Sequence, residues 1–496
     1  MNRSIVSVAV LALLPVCAQA QVRPELTLKS SIAMAVENGF TATDVKARYL
    51  AAKKNAESAR RRLWTSVGLT VNLPNFQESL SQQFNPYTGR YEYYQLKSTN
   101  MQAYMTINQP LVFTGGNLRF SQLLLSRDQT SGLTGATQQF RDYFNNFSVE
   151  FTQPLLTPNL SAITQTANEA ALAQAETDYL ADQMNLVYTV TDNFYSVYQL
   201  ARQLEITREQ VSQNEESFNT AQGKYEAGLI PEVEVLQSDV DLASSRNDFL
   251  GAERELKRAK NSFRLLLGIP TEEDVSVTEE VVYAPVLIDS TVAVESALRY
   301  RSEVLSAQRR ILLAEGGIGT AKSRNDFRLD VTARYGLDRN DTLFQNVFQD
   351  FNRSRSASLT FSVPLFDWGS NSLGVEAAEV QYKNAISAAE YTRQQVRQDV
   401  IDLLNRIEVA ESRILVLEKS VAVAQKGYDI SLQRFRNGAI TRNDLTLAQQ
   451  RLTSAKTNSL NALIDYKIGL ADLKRRTLWD FEKNEPVKPI MDYSSR

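Results

Sequence analysis

One pattern limits this chain more than any other: a heptad seam that occurs twice at a constant separation. Val396, Val400, Leu403, Ile407, Ala410, Ile414, Leu417, Val421, Ala424, Tyr428, Ser431 and Phe435 are spaced alternately by four and three, and all but Ser431 are apolar. Such a seam buries one helix face against other helices. Subtracting 210 gives Leu186, Val190, Asn193, Val197, Leu200, Leu204, Thr207, Val211, Asn214, Phe218, Ala221 and Tyr225, nine of the twelve again apolar. The same offset carries Val149, Phe151, Pro154 and Leu155 onto Leu359, Phe361, Pro364 and Leu365 before the seam. After it, Gly228 maps onto Gly438, and a second seam with Val235, Leu242, Phe249, Leu256 and Phe263 maps onto Leu445, Leu452, Ser459, Tyr466 and Leu473.

The chain therefore reads as an internal duplication whose unit is strand, long helix, tight turn and returning helix. The spacing predicts one uninterrupted helix from Pro364 to Gly438, and a long helix of roughly 67 residues in each copy, at about 1.5 Å per residue, spans about 100 Å. No globular core needs that length. Shorter helices precede each unit: Leu26 to Arg62 is helical with a break at Asn38-Gly39, and Val292 to Lys322 repeats this with a break at Arg299 to Ser302.

Alternating runs follow those helices. Val67 to Leu73 and Phe327 to Tyr335 read as strands, with Phe147 to Phe151 and Ser358 to Val363 as return strands. Alternation gives a strand two different faces. A half-buried sheet on a soluble core would show the same alternation. The helices, however, are already seamed to one another, and none is left to cover a sheet. A closed barrel with one face to lipid and one to a lumen accounts for both facts. Between Pro74 and Tyr143 the first unit holds about 40 residues more than the second, read as an extra hairpin turning at Gly115-Gly116 that lengthens the wall or the outer loops. Four strands per chain are the minimum, and six fit. Trp64 and Trp368 stand where helix meets strand; they mark either an inner membrane girdle or packing at a junction.

The N-terminus is a secretory leader: Arg3, an apolar run from Ile5 to Val16, then Ala18-Gln19-Ala20 as a cleavage site. Acylation at Cys17 would want a small residue before it, and Pro15-Val16 fits poorly. The chain has no His and no Cys besides Cys17, so the mature protein has no imidazole or thiol chemistry and no His/Cys metal site. The formal net charge is −3, and removing Arg3 takes it to −4, which gives no attraction for nucleic acid. No later run is long and apolar enough for a membrane-spanning helix, so any spanning segment must be made of strands. The expected divisions are leader 1–20, first unit 21–270, connector 271–290, second unit 291–478 and C-terminal tail 479–496. The connector and tail, rich in Pro and Glu, are expected to lie against the outside of the helices.

The repeated turn, Lys224-Tyr-Glu-Ala-Gly228-Leu-Ile-Pro-Glu-Val-Glu234 and Arg434-Phe-Arg-Asn-Gly438-Ala-Ile-Thr-Arg-Asn-Asp444, resembles the outer-membrane efflux proteins typified by TolC. The preceding strand ends, Ser-Val-Pro-Leu-Phe at 362–366, share the likeness, which covers essentially the mature chain. The resemblance implies an α+β membrane protein: a homotrimer whose strands pool into one outer-membrane β-barrel in lipid, continued by a long periplasmic α-helical coiled-coil barrel. The family's twelve strands per trimer are the expectation from which the long insert departs.

By the same resemblance the partners are a periplasmic adaptor and an inner-membrane pump of RND or ABC type, and the function is passive export of substrates in a tripartite efflux or type I secretion system. The periplasmic gate falls at Glu234 and Asp444, with Glu232 nearby. Leu447 and Gln237 occupy the places of a second acidic residue in each copy. Adaptor docking falls on the tips, Gly228, Leu229, Ile230, Pro231 and Gly438, Ala439, Ile440, Thr441. For the acidic residues a second role stands beside gating, because carboxylates in a first helical turn favour the dipole and Thr441 to Asp444 has capping-box spacing. Conduction needs no cofactor, metal or catalytic residue. A periplasmic coiled-coil adaptor or structural protein explains the heptads and the leader but not strands placed twice at one point of the repeat. An enzyme would need a carboxylate pair or a Ser/Lys centre, and the acidic residues fall on helix surfaces and tips.

Overall fold

The computed structural model describes residues 25–490, apart from 86, 132–137, 271–273, 278–280, 326 and 364. The leader, with Arg3, Cys17 and Ala20, and also Pro364, lie outside the described residues. In chain order the elements are β1 (Glu25–Leu26), α1 (Leu28–Asn38), α2 (Phe40–Arg61), β2 (Ser66–Asn85), β3 (Arg90–Leu111), β4 (Gly116–Ser131), β5 (Gln138–Pro154), α3 (Leu160–Glu226), α4 (Glu232–Leu267) and β6 (Ser276–Val277). They continue with α5 (Ser290–Tyr300), α6 (Ser302–Asn325), β7 (Arg328–Asp341), β8 (Asn352–Ser362), α7 (Ser370–Arg436), α8 (Arg442–Thr477), β9 (Trp479–Asp480) and β10 (Glu485–Pro486). The two long helices have 67 residues each and the two returning helices 36 each.

The seams bury as their spacing requires. Val190, Val197, Val400, Ile407 and Ile414 are all buried. The central part of the first helix set closes on Phe194, which meets Phe263 edge-on at 6.2 Å between ring centroids and packs with Val45, Tyr49 and Leu267. The second set closes on Tyr466, Leu473 and Val400 with Ala293 and Ala297 of α5. One expected seam position departs: Tyr225 is 41% exposed, whereas its counterpart Phe435 is 3% exposed.

The long second helix starts at Ser370, six residues later than its heptads suggested. Asp367 accepts from the backbone N–H groups of Gly369 and Asn371, and Gly369 is left-handed with φ 77°, so a turn precedes the helix. The connector and the tail do lie on the helices. Val275 is fully buried in the first core, Ser276–Val277 pairs in parallel with β1, Val286 donates to the Tyr466 hydroxyl, and the Ile490 N–H donates to Gln183.

Six strands form one antiparallel sheet in the order β2-β3-β4-β5-β7-β8. The insert thus supplies two strands of this sheet, β3 and β4, with the turn between them at Gly115, as the sequence suggested. Register carries Val67 across to Ile107, Phe120, Val149 and Tyr335. With alternation, one face holds Leu69, Met105, Phe147 and Leu337 as well. The other face holds Thr70, Tyr104, Arg119, Ser121, Ser148 and Glu150, with the Ser121 and Ser148 hydroxyls 2.8 Å apart. A bulge between Asn72 and Asn75 falls at Pro74, which has no N–H for the ladder. Among the described residues no helix is long and apolar enough to cross a membrane.

Candidate functional site

The predicted site residues gather at the two helix turns, at the opposite end of the long helices from the sheet. Both turns use one backbone device. Gly228 and Gly438 sit at φ 74° and 71°, and the next N–H groups, of Leu229 and Ala439, reach back 2.8 Å to the carbonyls of Lys224 and Arg434. A Cβ at either glycine would meet nothing within 4 Å, so it is the left-handed φ alone that demands glycine. Leu229 is 73% exposed, Pro231 and Ala439 are exposed, and Ile440 packs on the cluster of Tyr428, Phe435, Leu445 and Leu452.

The carboxylates fare differently. Thr441 caps α8: its hydroxyl accepts from the Asp444 N–H and donates to the Asp444 carboxylate at 2.7 Å, and its own N–H donates to that carboxylate at 3.1 Å. These bonds hold the Asp444 carboxyl below the usual carboxylate value. The capping box is therefore present, and within one chain the direction is opposite to the rise that mutual repulsion in a ring would produce. In α4 the N-cap is Pro231, with no side-chain cap bond. Glu232 is exposed and Glu234 half-buried, and neither makes a side-chain hydrogen bond or ion pair among the described residues. One chain does not bring Glu234 and Asp444 into contact.

Sequence reasoning missed what ties the hairpins together. Arg442, whose side chain is 13% exposed, is paired with Asp241 and donates to Gln237 at 3.1 Å. Lys224 lies 4.2 Å over the Phe435 ring and donates to the Phe435 carbonyl. Arg436 pairs with Glu216, and Lys456 with Glu209 at 2.5 Å. Burial, with Glu216 and Asp429 nearby, pushes the Tyr428 phenol up to about 12. Each of these pairs joins residues more than 200 positions apart, so no local spacing announced them.

At the sheet end, Trp64 and Trp368 are 58% and 87% exposed within one chain. Trp368 has φ 57° and tilts against Phe366, with ring centroids 4.7 Å apart. Among the described residues no cluster of metal-ligating side chains is present.

The sequence model of the family described as outer membrane efflux protein matches residues 123–269 and 293–477. The outer membrane protein TolC of Vibrio cholerae serotype O1 is 23% identical over 330 residues, 66% of this chain and 75% of that protein. The cation efflux system protein CusC of Escherichia coli K12 is 22% identical over 340 residues, 66% of this chain and 71% of that protein. Among solved structures, the outer membrane protein VceC of Vibrio cholerae superposes with a TM-score of 0.66 at 17% identity, covering 93% of this chain and 97% of that one.

Proposed function

The chain belongs to the outer membrane efflux protein family, and from that premise we propose that it is the outer-membrane channel of a tripartite efflux or type I secretion system. It resides in the outer membrane with a large periplasmic extension. The observation that carries the reading is the pairing of one two-faced sheet with two helices of 67 residues each, an arrangement that suits a duct. Residues 1–20 are removed on export, and the units 21–270 and 291–478 are duplicated halves joined by 271–290 and followed by the tail 479–496. Three copies pool their sheets in lipid and their helices in the periplasm. Trp64 and Trp368, exposed at the sheet's lower rim, sit at the inner membrane surface. The family's role fits a conduit rather than an enzyme. A periplasmic adaptor has no use for the six-stranded sheet.

In this proposal the tips form the gate. The α7/α8 hairpin is latched to the α3/α4 hairpin by Arg442 on Asp241 and Gln237, Arg436 on Glu216, and Lys224 on Phe435. Opening exchanges these contacts for water or for an adaptor docked on residues 228–231 and 438–441, with an inner-membrane pump of RND or ABC type supplying the substrate. Asp444, Glu234 and Glu232, each repeated three times around the axis, bias the entrance toward cations. Imaging of the mature protein extracted from membranes in detergent tests the duct. A hollow threefold cylinder well over 100 Å long is expected from the helix length, and a detergent-independent monomer or dimer would overturn it.

A further inference from the structure

The sheet is open within one chain. β2 and β8 form its two edges and are not paired with each other, and their described residues are exposed on both faces from Ser66 to Leu80 and from Asn352 to Ser362. An unpaired edge cannot remain in hydrocarbon, because its N–H and C=O groups find no partner there. The two edges suit each other. β2 begins at the helix end and β8 finishes there, so the β8 of one copy runs antiparallel to the β2 of the next. Both carry apolar residues on one face, Val67, Leu69 and Val71 opposite Leu359 and Phe361. Both carry small polar residues on the other, Gly68 and Thr70 opposite Ser356, Ser358 and Thr360. Such a heterologous contact closes on itself only as a ring.

The inserted hairpin belongs to this wall. Ala103, Met105 and Ile107 of β3 and Leu118, Phe120 and Leu124 of β4 share the apolar face with Val149 and Phe151 of β5 and Val331 and Ala333 of β7. Its lower turn is clamped to the helical body: the Asn159 amide at the start of α3 donates to the Val112 and Phe113 carbonyls at 2.7 and 3.2 Å, and Gln153 donates to the Thr114 carbonyl at 2.8 Å. The family match begins at residue 123, inside β4, so β3 and the lower part of β4 lie before it.

We infer that the outer-membrane barrel of this protein has eighteen strands, six from each of three copies, closed by β2–β8 contacts between copies. This rests on the threefold duct proposed above. Barrel diameter grows roughly linearly with strand number, so the barrel is about 1.5 times as wide as a twelve-stranded one. The two long and two returning helices of each copy give twelve helices in the duct; at about 10 Å per helix their ring has a circumference of about 120 Å, close to the roughly 110 Å of eighteen strands spaced about 4.8 Å apart and tilted about 40°, so the barrel continues the body at nearly its own width. The turn carrying Phe113, 96% exposed, lies at the helix end of the sheet, against the start of α3. An outer mouth of this width places no size filter of its own on the cargo, including bulky polypeptide, and leaves discrimination to the tips.

The test compares the full mature chain with a variant lacking residues 90–131, in which β2 runs directly into β5. Each is placed in lipid nanodiscs, its mass is measured, and its barrel cross-section is imaged. The expected result is a trimer in both cases, with eighteen strands in the full chain and twelve in the variant, whose barrel is about two-thirds as wide. A trimeric full chain with twelve wall strands and the β3–β4 hairpin lying outside would overturn the inference and leave the duct standing. A mass other than three copies would overturn both. Should the shortened variant not assemble, cysteines placed singly in the otherwise cysteine-free mature chain decide the matter on the full chain. Met105→Cys and Phe120→Cys should react with a lipid-phase probe and Tyr104→Cys with a water-soluble maleimide, whereas equal aqueous labelling of all three would refute a place in the wall.

Discussion

The two tip hairpins turn on the same glycine geometry and have helices of equal length, but they are packed by different means. The α7/α8 tip has an apolar cluster of Tyr428, Phe435, Leu445 and Leu452, with a capping box at Thr441. The α3/α4 tip also buries Val235 and Leu242, but it has Tyr225 turned outward, Thr207 and Asn214 where the second copy has Leu417 and Ala424, the Asn214 amide on the Asp241 carbonyl at 3.2 Å, and no side-chain cap at Pro231. The backbone conformation is the same in both turns while the side-chain packing differs. In the proposed latch the second hairpin, with its apolar cluster and cap, is the more rigid member and carries most of the cations, and the first is the softer surface that receives them.

The largest break in this comparison should come from Phe435→Ala. Phe435 is buried and lies under Lys224, so truncation should cost about 3–4 kcal/mol of local stability, read as faster amide exchange at the α7/α8 tip. Tyr225→Ala, at an exposed position, should change exchange by no more than about 0.5 kcal/mol. Equal losses at the two sites would erase the asymmetry. Next comes Arg442→Gln, which leaves Asp241 without its cation; because Asp241 is 37% exposed, about 1–2 kcal/mol is expected rather than the full value for a buried pair. Its readout is separation of the hairpins, seen as protease access at 228–231.

Smaller effects sharpen the picture. Asn214→Leu should tighten the first hairpin by about 1 kcal/mol, the apolar gain being partly offset by the lost amide bond, and should make its exchange resemble that of the second. Thr441→Ala should cost about 1 kcal/mol at the α8 start, with no counterpart in α4. The pH dependence has a fixed sign. Since the folded pKa of Asp444 is depressed, its cap contribution is present above the unfolded carboxylate value and is lost as pH falls through the folded one. Acid titration below about pH 4 should therefore fray the second hairpin's return helix before the first's.

What was legible in the sequence followed from periodicity. Seam positions such as Val400 and Ile407 showed which helix face is buried, and strict alternation at Val67 to Leu73 showed a two-faced strand. The Gly115 turn also read correctly because a left-handed glycine there has no substitute. What stayed hidden depended on contacts across long stretches of chain. Arg442 and Asp241 lie 201 residues apart, and nothing local distinguishes either from an ordinary solvated charge. Tyr225 matched the seam and failed to bury, whereas Lys224 beside it reaches across to Phe435. The start of α7 was misplaced because heptad counting does not register the turn made by Asp367 and Gly369.

The central claim is that flow is controlled where the rigid hairpin is latched to the soft one, and single-channel recording in planar bilayers addresses it directly. The account predicts that Arg442→Gln raises conductance and lengthens open periods relative to the unaltered channel, with further gain when Glu216→Gln frees Arg436 as well. Conductance and open time unchanged in both variants, with the trimer intact, would contradict it.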